Sequence, residues 1–389
     1  MNLLFYSHAF APQIGGIEVF SMHLVNGLAE RNLADGGTAH VTVVTQTTSM
    51  EPSDSSKAPF RVVRQPGARQ LWQLIGDADK VLLAGPAIVP LFFALIRRKR
   101  VIVTHHGYQS ICPNGMLFHY PTHRSCPGHF AAGRYMECVK CGAMQDTLAD
   151  SLRLLTLTFV RRFLSRLADS NIAVSEHVGK RISLPKGRVI RNGVPDALLV
   201  SQVGQVPSNQ PDSACFAYLG RLVTEKGVPV LIEAAGILKK RGRLVRILII
   251  GDGPERSALQ AQVRSFKLED EVAFLGFLKG ERLAAAMIGV AALVMPSICE
   301  DAAPLSVLEQ MMQGRLIIGS NLGGLAEEIG DSGLTFAAGD ANALADQMER
   351  VIAQPEMVVV LGEKARRRAL EAYTLERMLH EYRLLFGLG

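Results

Sequence analysis

At 389 residues the chain is too long for one ordinary core and suits two domains of roughly 150–200 residues each. Its 48% hydrophobic and 20% charged residues exclude a disordered chain. No apolar run reaches the ~20 residues of a membrane span, and Met1–Tyr6 lacks the basic region of a signal peptide.

The net charge of +6 is unevenly placed: residues 1–195 hold 22 Lys and Arg against 12 Asp and Glu, whereas residues 196–389 hold 20 against 24. A basic first half suits an anionic partner, either a membrane surface or a phosphate-bearing acceptor. A merely soluble basic surface explains it equally well. Without interleaved aromatics it does not suit nucleic acid. The expected location is cytoplasmic, at most peripheral on the inner face of a membrane.

In chain order, Leu3–Ser7 has the apolar continuity of a buried strand. A loop with Pro12, Gly15 and Gly16 follows, then a helix over Glu18–Glu30 and a strand over His40–Thr45. The glycine pair lets backbone approach a phosphate or sugar, and is equally ordinary turn chemistry. Glu51–Lys57 is a polar connector, and Phe60–Arg64 and Lys80–Ala84 are strands. Asp77-Ala78-Asp79 suits a turn better than a metal. Ile88–Ile96 is a short helix with a basic end. Val101–Thr104 is a strand ending in His105-His106-Gly107, where a structural histidine competes with a substrate-facing one.

Between Cys112 and Cys141 apolar periodicity is lost and Pro and Gly are frequent, which marks an insertion held by something other than a core. Cys112, Cys126, Cys138 and Cys141 favour metal ligation over disulfides in a cytosolic protein. A structural zinc is one reading. Four unlinked buried thiols, or ligation that takes in His119, His123 or His129, are the others. Leu148–Leu167 is a long helix carrying Arg153, Arg161, Arg162 and Arg166, and residues 201–213, rich in Ser, Gln, Pro and Asn, mark a linker.

The second half restarts with the strand Cys215–Leu219, running into Gly220-Arg221-Leu222 and Glu225-Lys226-Gly227. Two cations and amide donors around one turn suit a diphosphate. Val245–Ile250 leads to Gly251-Asp252-Gly253-Pro254, Val272–Leu275 to Gly276-Phe277, and Leu316–Gly319 to Asn321-Leu322-Gly323-Gly324. The buried strand Ala291–Met295 leads through Pro296-Ser297-Ile298-Cys299-Glu300-Asp301 into a helix over Leu305–Met312. With that helix starting near Ala303, Asp301 stands just before it and Glu309 on its second turn. Acids at the carboxyl end of a strand lie where open α/β sheets bind ligands. The bland alternative is a solvated loop with a capping acid. Glu363–Tyr373 and Leu375–Phe386 close the chain as helices.

Taken in order, Gly15-Gly16 with Glu18, His106-Gly107, Asn192-Gly193-Val194, Gly220-Arg221-Leu222 with Glu225-Lys226-Gly227, Gly251-Asp252-Gly253-Pro254, Pro296-Ser297 and Asn321-Leu322-Gly323-Gly324 form a set that resembles the retaining glycosyltransferases of family 4. The resemblance implies an α/β, GT-B fold of two Rossmann-like domains facing each other across a cleft. It places an acceptor-binding domain at 1–195, with a Cys-rich insertion at about 108–145. A linker at 196–213, a nucleotide-sugar domain at 214–372 and a helix at 373–389 packing back on the first domain complete it.

The resemblance also implies roles. Arg221 and Lys226 hold the donor's diphosphate as leaving group, so no catalytic metal is expected. Glu309 bonds the ribose, and Asp301, standing where the family has glutamate, meets the sugar; Glu300 gives one residue too many in the family's spacing. His106 lies near donor sugar or acceptor, and Gly16 borders the diphosphate. Gly251, Gly253, Phe277, Ala303, Pro304 and Leu305 complete the nucleotide site. The implied reaction moves a sugar from a UDP- or GDP-linked donor to a saccharide or lipid-linked acceptor with retention, and needs no protein nucleophile. A nucleotide-sugar epimerase or phosphorylase of the same architecture, and a non-catalytic sugar-nucleotide module, stay open.

Overall fold

A computed structural model of the chain describes residues 1–12, 15–29, 40–48, 58–143, 147–196 and 213–387. The connector Glu51–Lys57 and linker residues 197–212 lie outside the described residues. The chain divides into two units. The first comprises Met1–Pro121, Cys126–Gly193 and Leu375–Gly389; the second comprises Thr122–Ser125 and Val194–Thr374.

The first unit runs β1 (Asn2–Ser7), α1 (Gly16–Ala29), β2 (His40–Thr45), β3 (Arg61–Arg64), α2 (Ala68–Asp77), β4 (Lys80–Ala84), α3 (Ile88–Ile96), β5 (Arg100–His105) and β6 (Phe118–His119). After β7 (Arg124–Ser125), which groups with the second unit, it continues through α4 (Tyr135–Ala143), α5 (Leu148–Leu167), β8 (Ser170–Ala173), α6 (Glu176–Ile182) and β9 (Gly187–Val189). Seven strands form one parallel sheet in the order β3-β2-β1-β4-β5-β8-β9. Helices cover such a sheet on both faces, so its central strands are apolar without alternation. Leu3–Tyr6, Val81–Leu83 and Val101–Val103 are accordingly buried throughout.

The second unit runs β10 (Ser213–Leu219), α7 (Val228–Lys240), β11 (Leu244–Ile250), α8 (Arg256–Ser265), β12 (Val272–Gly276), α9 (Gly280–Ala286), β13 (Val290–Met295), α10 (Leu305–Met312), β14 (Leu316–Ser320), α11 (Gly323–Ile329), β15 (Leu334–Phe336), α12 (Ala341–Ala353) and α13 (Glu356–Ala372). Its six strands are also all parallel, in the order β12-β11-β10-β13-β14-β15. All six residues of β13 are buried.

The last helix, α14 (Leu375–Phe386), belongs to the first unit. Tyr382 is buried with its hydroxyl 3.1 Å from Thr104 Oγ1, and Arg383 Nη2 donates to the Gly27 carbonyl at 3.0 Å. Gly27 has no room for a Cβ because Leu379 of α14 lies against it.

The helix α10 spans Leu305–Met312, the range its composition predicts, with Pro304 at its N-cap in extended conformation, so a start near Ala303 is not taken. Two elements differ from expectation. The helix α13 extends back to Glu356, from an N-cap at Pro355. The cysteine-rich stretch contains a helix, α4, which its sequence hides because only Cys138, Val139 and Cys141 are buried on it. Phe130 and Tyr135 of that stretch meet Phe159 of α5 edge-on or tilted, with ring centroids 4.8–5.6 Å apart.

Candidate active site

In each sheet the order of winding reverses once, between β1 and β4 and between β10 and β13. Loops leaving the carboxyl ends of such a strand pair diverge, which opens the crevice where doubly wound sheets take ligands. In the second unit those loops are Gly220–Gly227 after β10 and Pro296–Pro304 after β13. They hold Arg221, Lys226, Glu300 and Asp301.

The two loops are fixed on each other by backbone. Ile298 N donates to Glu225 O at 3.0 Å, and Gly227 has φ +66° with the Pro296 carbonyl where a Cβ would stand. Against this frame Lys226 Nζ lies 2.5 Å from Asp301 Oδ1, while Ser297 Oγ donates to Asp301 Oδ2 at 2.5 Å. Their side chains are 17% and 11% exposed, so the pair is largely dry. Burial pulls the Lys226 ammonium down, but Asp301, Cys299 and Tyr218 beside it prevail and hold it above the usual lysine range. A third loop closes the frame: Gly324 N, at the start of α11, donates to Asp301 O at 2.6 Å.

Arg221 is exposed, yet its backbone is pinned, since the buried Tyr218 hydroxyl donates to its carbonyl at 2.7 Å. Leu222 N donates to Asp252 O at 2.9 Å. Gly251 (φ +136°) and Gly253 each leave no space for a Cβ against the carbonyls of Gly220 and Leu222. Arg221 is thus an exposed cation on a turn whose backbone is pinned. Phe277, next after β12, is 57% exposed.

Asp301 lies in the loop before α10. Its carboxylate faces Lys226 and Ser297, 75 and 4 residues away. Glu300 is buried and turns elsewhere, accepting from Ser125 Oγ at 2.9 Å. Ala303, Pro304 and Leu305 enter α10, which has no side-chain cap. Glu309, on the second turn of α10, is held above the ordinary glutamate range by burial. Sequence reading missed Glu328 of α11, which is 2% exposed with no hydrogen-bond partner on either carboxylate oxygen among the described residues. Burial, then the charges of Asp301 and Glu327, push its carboxyl well up. No sequence signal marks it, because Glu327-Glu328 looks like an exposed helix face.

Within the first unit, Gly16 opens α1 with empty space around its Cβ position. His106 follows β5 with its ring edge on Phe20, centroids 4.3 Å apart. Burial, then His105, lowers its imidazole to about 3, so it is neutral at physiological pH. His105 is lowered to about 4 by burial and bonds Asn171 Oδ1 at 2.9 Å, a structural histidine.

Cys112, Cys126, Cys138 and Cys141 are all buried and line one cavity of about 30 Å³, together with Asn114, His119, His129 and Glu137. Burial pushes the Cys112 thiol up to about 11 and, with the other three thiols nearby, the Cys138 thiol up to about 12. Among the described residues, the group whose ligand atoms lie within 4.8 Å of one another is His119, His129 and Glu137. His123 lies in the Thr122–Ser125 segment, outside the cavity lining.

Residues 205–368 match the family model described as Glycosyl transferases group 1. That match lies within the second unit. Its relatives include the 2-deoxystreptamine glucosyltransferase of Streptomyces kanamyceticus, 28% identical over 58% of this chain and 62% of that protein. The alpha-D-kanosaminyltransferase of the same organism is 33% identical over 40% of each chain. A glycogen synthase of Mycobacterium tuberculosis is 31% identical over 54% of this chain and 51% of its own. The matches span less than two thirds of each of these relatives.

Similarity to solved structures extends over the whole chain. Anabaena HepE in complex with UDP and glucose superposes with a TM-score of 0.73 at 17% identity, over 100% of this chain and 99% of that one. A sucrose-phosphate synthase of Thermosynechococcus elongatus gives 0.73 at 20% identity over 100% of both. The fold is GT-B, with two Rossmann-like units.

Proposed function

We propose that this protein transfers a sugar from a nucleoside-diphosphate sugar to a saccharide or lipid-linked acceptor with retention of anomeric configuration. The observation that carries this reading is the Lys226–Asp301 pair at the β10/β13 reversal, with Arg221 exposed on the same loop as Lys226. A diphosphate leaving group gathers negative charge as the glycosidic bond lengthens. Cations already fixed by backbone stabilise that charge without reorganising. Asp301 keeps Lys226 charged and aimed, and its remaining lone pairs are available to a sugar hydroxyl.

The acceptor oxygen bonds the anomeric carbon from the face the diphosphate leaves. The departing oxygen takes the bond's electron pair and the acceptor's proton, so no protein nucleophile is needed. The bases bound in relatives favour UDP as donor base, and Phe277 offers an exposed face for it to stack on. Glu309 is the residue this reading assigns to the ribose.

Exposed apolar stripes on two packed helices support acceptor delivery at an anionic membrane: Val89, Phe92 and Ile96 on α3, and Leu152, Phe159 and Phe163 on α5. Arg97, Arg98, Arg153 and Arg166 are exposed on or next to the same helices. An apolar face with basic residues beside it suits insertion at a headgroup boundary. Salt-sensitive sedimentation with anionic vesicles, absent with neutral ones, is the expected behaviour.

The test of the reaction is a panel of UDP- and GDP-sugars with saccharide acceptors, followed by NMR of the new linkage. The product should keep the donor's anomeric configuration, and Asp301→Asn should lose far more turnover than Glu300→Gln. An inverted linkage, or the reverse ranking, would overturn this reading.

A further inference from the structure

The cavity in the first unit collects donors from three separate stretches of chain. Cys112 comes from the loop after β5, Cys126 follows β7, and Cys138 and Cys141 lie one turn apart on α4. Residues at i and i+3 share a helix face, so the last two thiols are directed to the same side. We infer that Cys112, Cys126, Cys138 and Cys141 bind one zinc ion in this cavity, as a closed four-thiolate site that ties α4 to the loop after β5. The inference is independent of the transfer reaction.

Three features support it. The cavity, about 30 Å³, holds one ion and little else. Asn114 Nδ2 donates to Cys141 Sγ at 3.7 Å. Donors of this kind orient metal-bound sulfur and offset its charge. Finally, the cysteines are free, and soft thiolates select zinc over hard cations. On binding, each thiol gives its proton to solvent and the dication enters, leaving a site of net charge −2 beside that N–H donor. The thiols of Cys112 and Cys141, which donate to Asn114 Oδ1 and Phe118 O, turn inward to do so.

His119, His129 and Glu137 are the rival donor set, with ligand atoms within 4.8 Å of one another. Glu137 is already held by Lys140 at 2.7 Å with its side chain 35% exposed, and three ligands would leave zinc an open position. The four thiols are not grouped that closely among the described residues, so the ion must draw them together; once it does, four thiolates close the shell that three ligands leave open.

The experiment is metal analysis and zinc-edge X-ray absorption on the full chain, purified without chelator or metal-affinity resin. About one zinc per chain is expected, in a shell of sulfur at about 2.3 Å. Cys138→Ser and Cys141→Ser should lose the metal; His129→Ala and Glu137→Gln should keep it. Zinc retained in the serine variants but lost in His129→Ala would overturn the assignment, as would a shell of nitrogen and oxygen. A chain that takes up no zinc on titration would also overturn it. Should the serine variants not fold, the absorption spectrum of the unaltered protein decides alone.

Discussion

The two units use one sheet plan and treat its point of reversal in opposite ways. In the second unit the loops at β10 and β13 meet backbone to backbone, through Gly227 against Pro296, Gly251 against Gly220 and Gly324 against Ala302. A dry ion pair sits inside that frame. In the first unit the glycines at the corresponding reversal, Gly16 after β1 and Gly85 after β4, have no atom of the described residues within 4 Å of where a Cβ would stand, and the nearby His106 is neutral. A site that must hold the same charged group in every turnover gains from rigidity and fixed cations. A site that must admit a particular acceptor gains from room. The difference in packing therefore carries the proposed division of labour between donor and acceptor.

The largest effect should come from breaking the ion pair. Lys226→Met leaves the Asp301 carboxylate largely buried without its cation, and unfolding by urea should show a loss of about 3–5 kcal/mol. An unchanged midpoint would mean that Asp301 is solvated and the frame looser than described. Next come the glycines. Gly251→Ala puts a Cβ at positive φ into a carbonyl and should cost about 2–3 kcal/mol, whereas Gly16→Ala should be neutral or slightly stabilising. Equal costs at both positions would erase the contrast between the units.

The smallest effect concerns Glu328. Its folded carboxyl is held above its ordinary value of 4.5, so between these values the folded state binds more protons than the unfolded one. Stability must then fall as pH rises from about 4.5, by up to about 1.4 kcal/mol per pH unit. Glu328→Gln should flatten that slope in chemical denaturation series. A slope identical to that of the unaltered protein would place the effect elsewhere.

Much of this fold was legible in the sequence, for a physical reason. Strands covered on both faces, such as Val290–Met295, are uninterrupted apolar runs, and Gly, Pro and Asn punctuate the turns between them. Helices with apolar faces, such as α3, α5 and α10, declared their type and largely their ends. The helix α4 did not, since its buried face consists largely of cysteines that suggested chemistry before packing. The site was legible in part. Arg221, Lys226 and Asp301 stood out as charges at strand ends, but the pairing of Lys226 with Asp301 spans 75 residues and leaves no local trace. The burial of Glu328 has no trace either, because it comes from the tertiary packing of α11, which also brings Asp301 near it.

The most direct test of the central claim, that the β10/β13 reversal grips a nucleoside diphosphate through its cations, is calorimetric titration of UDP and GDP into the intact protein and into Arg221→Ala. Arg221 is exposed and its backbone is fixed by Tyr218 and Asp252, so the variant should fold normally. Loss of one charge-assisted contact should weaken binding of the preferred diphosphate by roughly 10- to 100-fold, with much less effect on the nucleoside alone. Equal affinity in the two proteins would contradict the account.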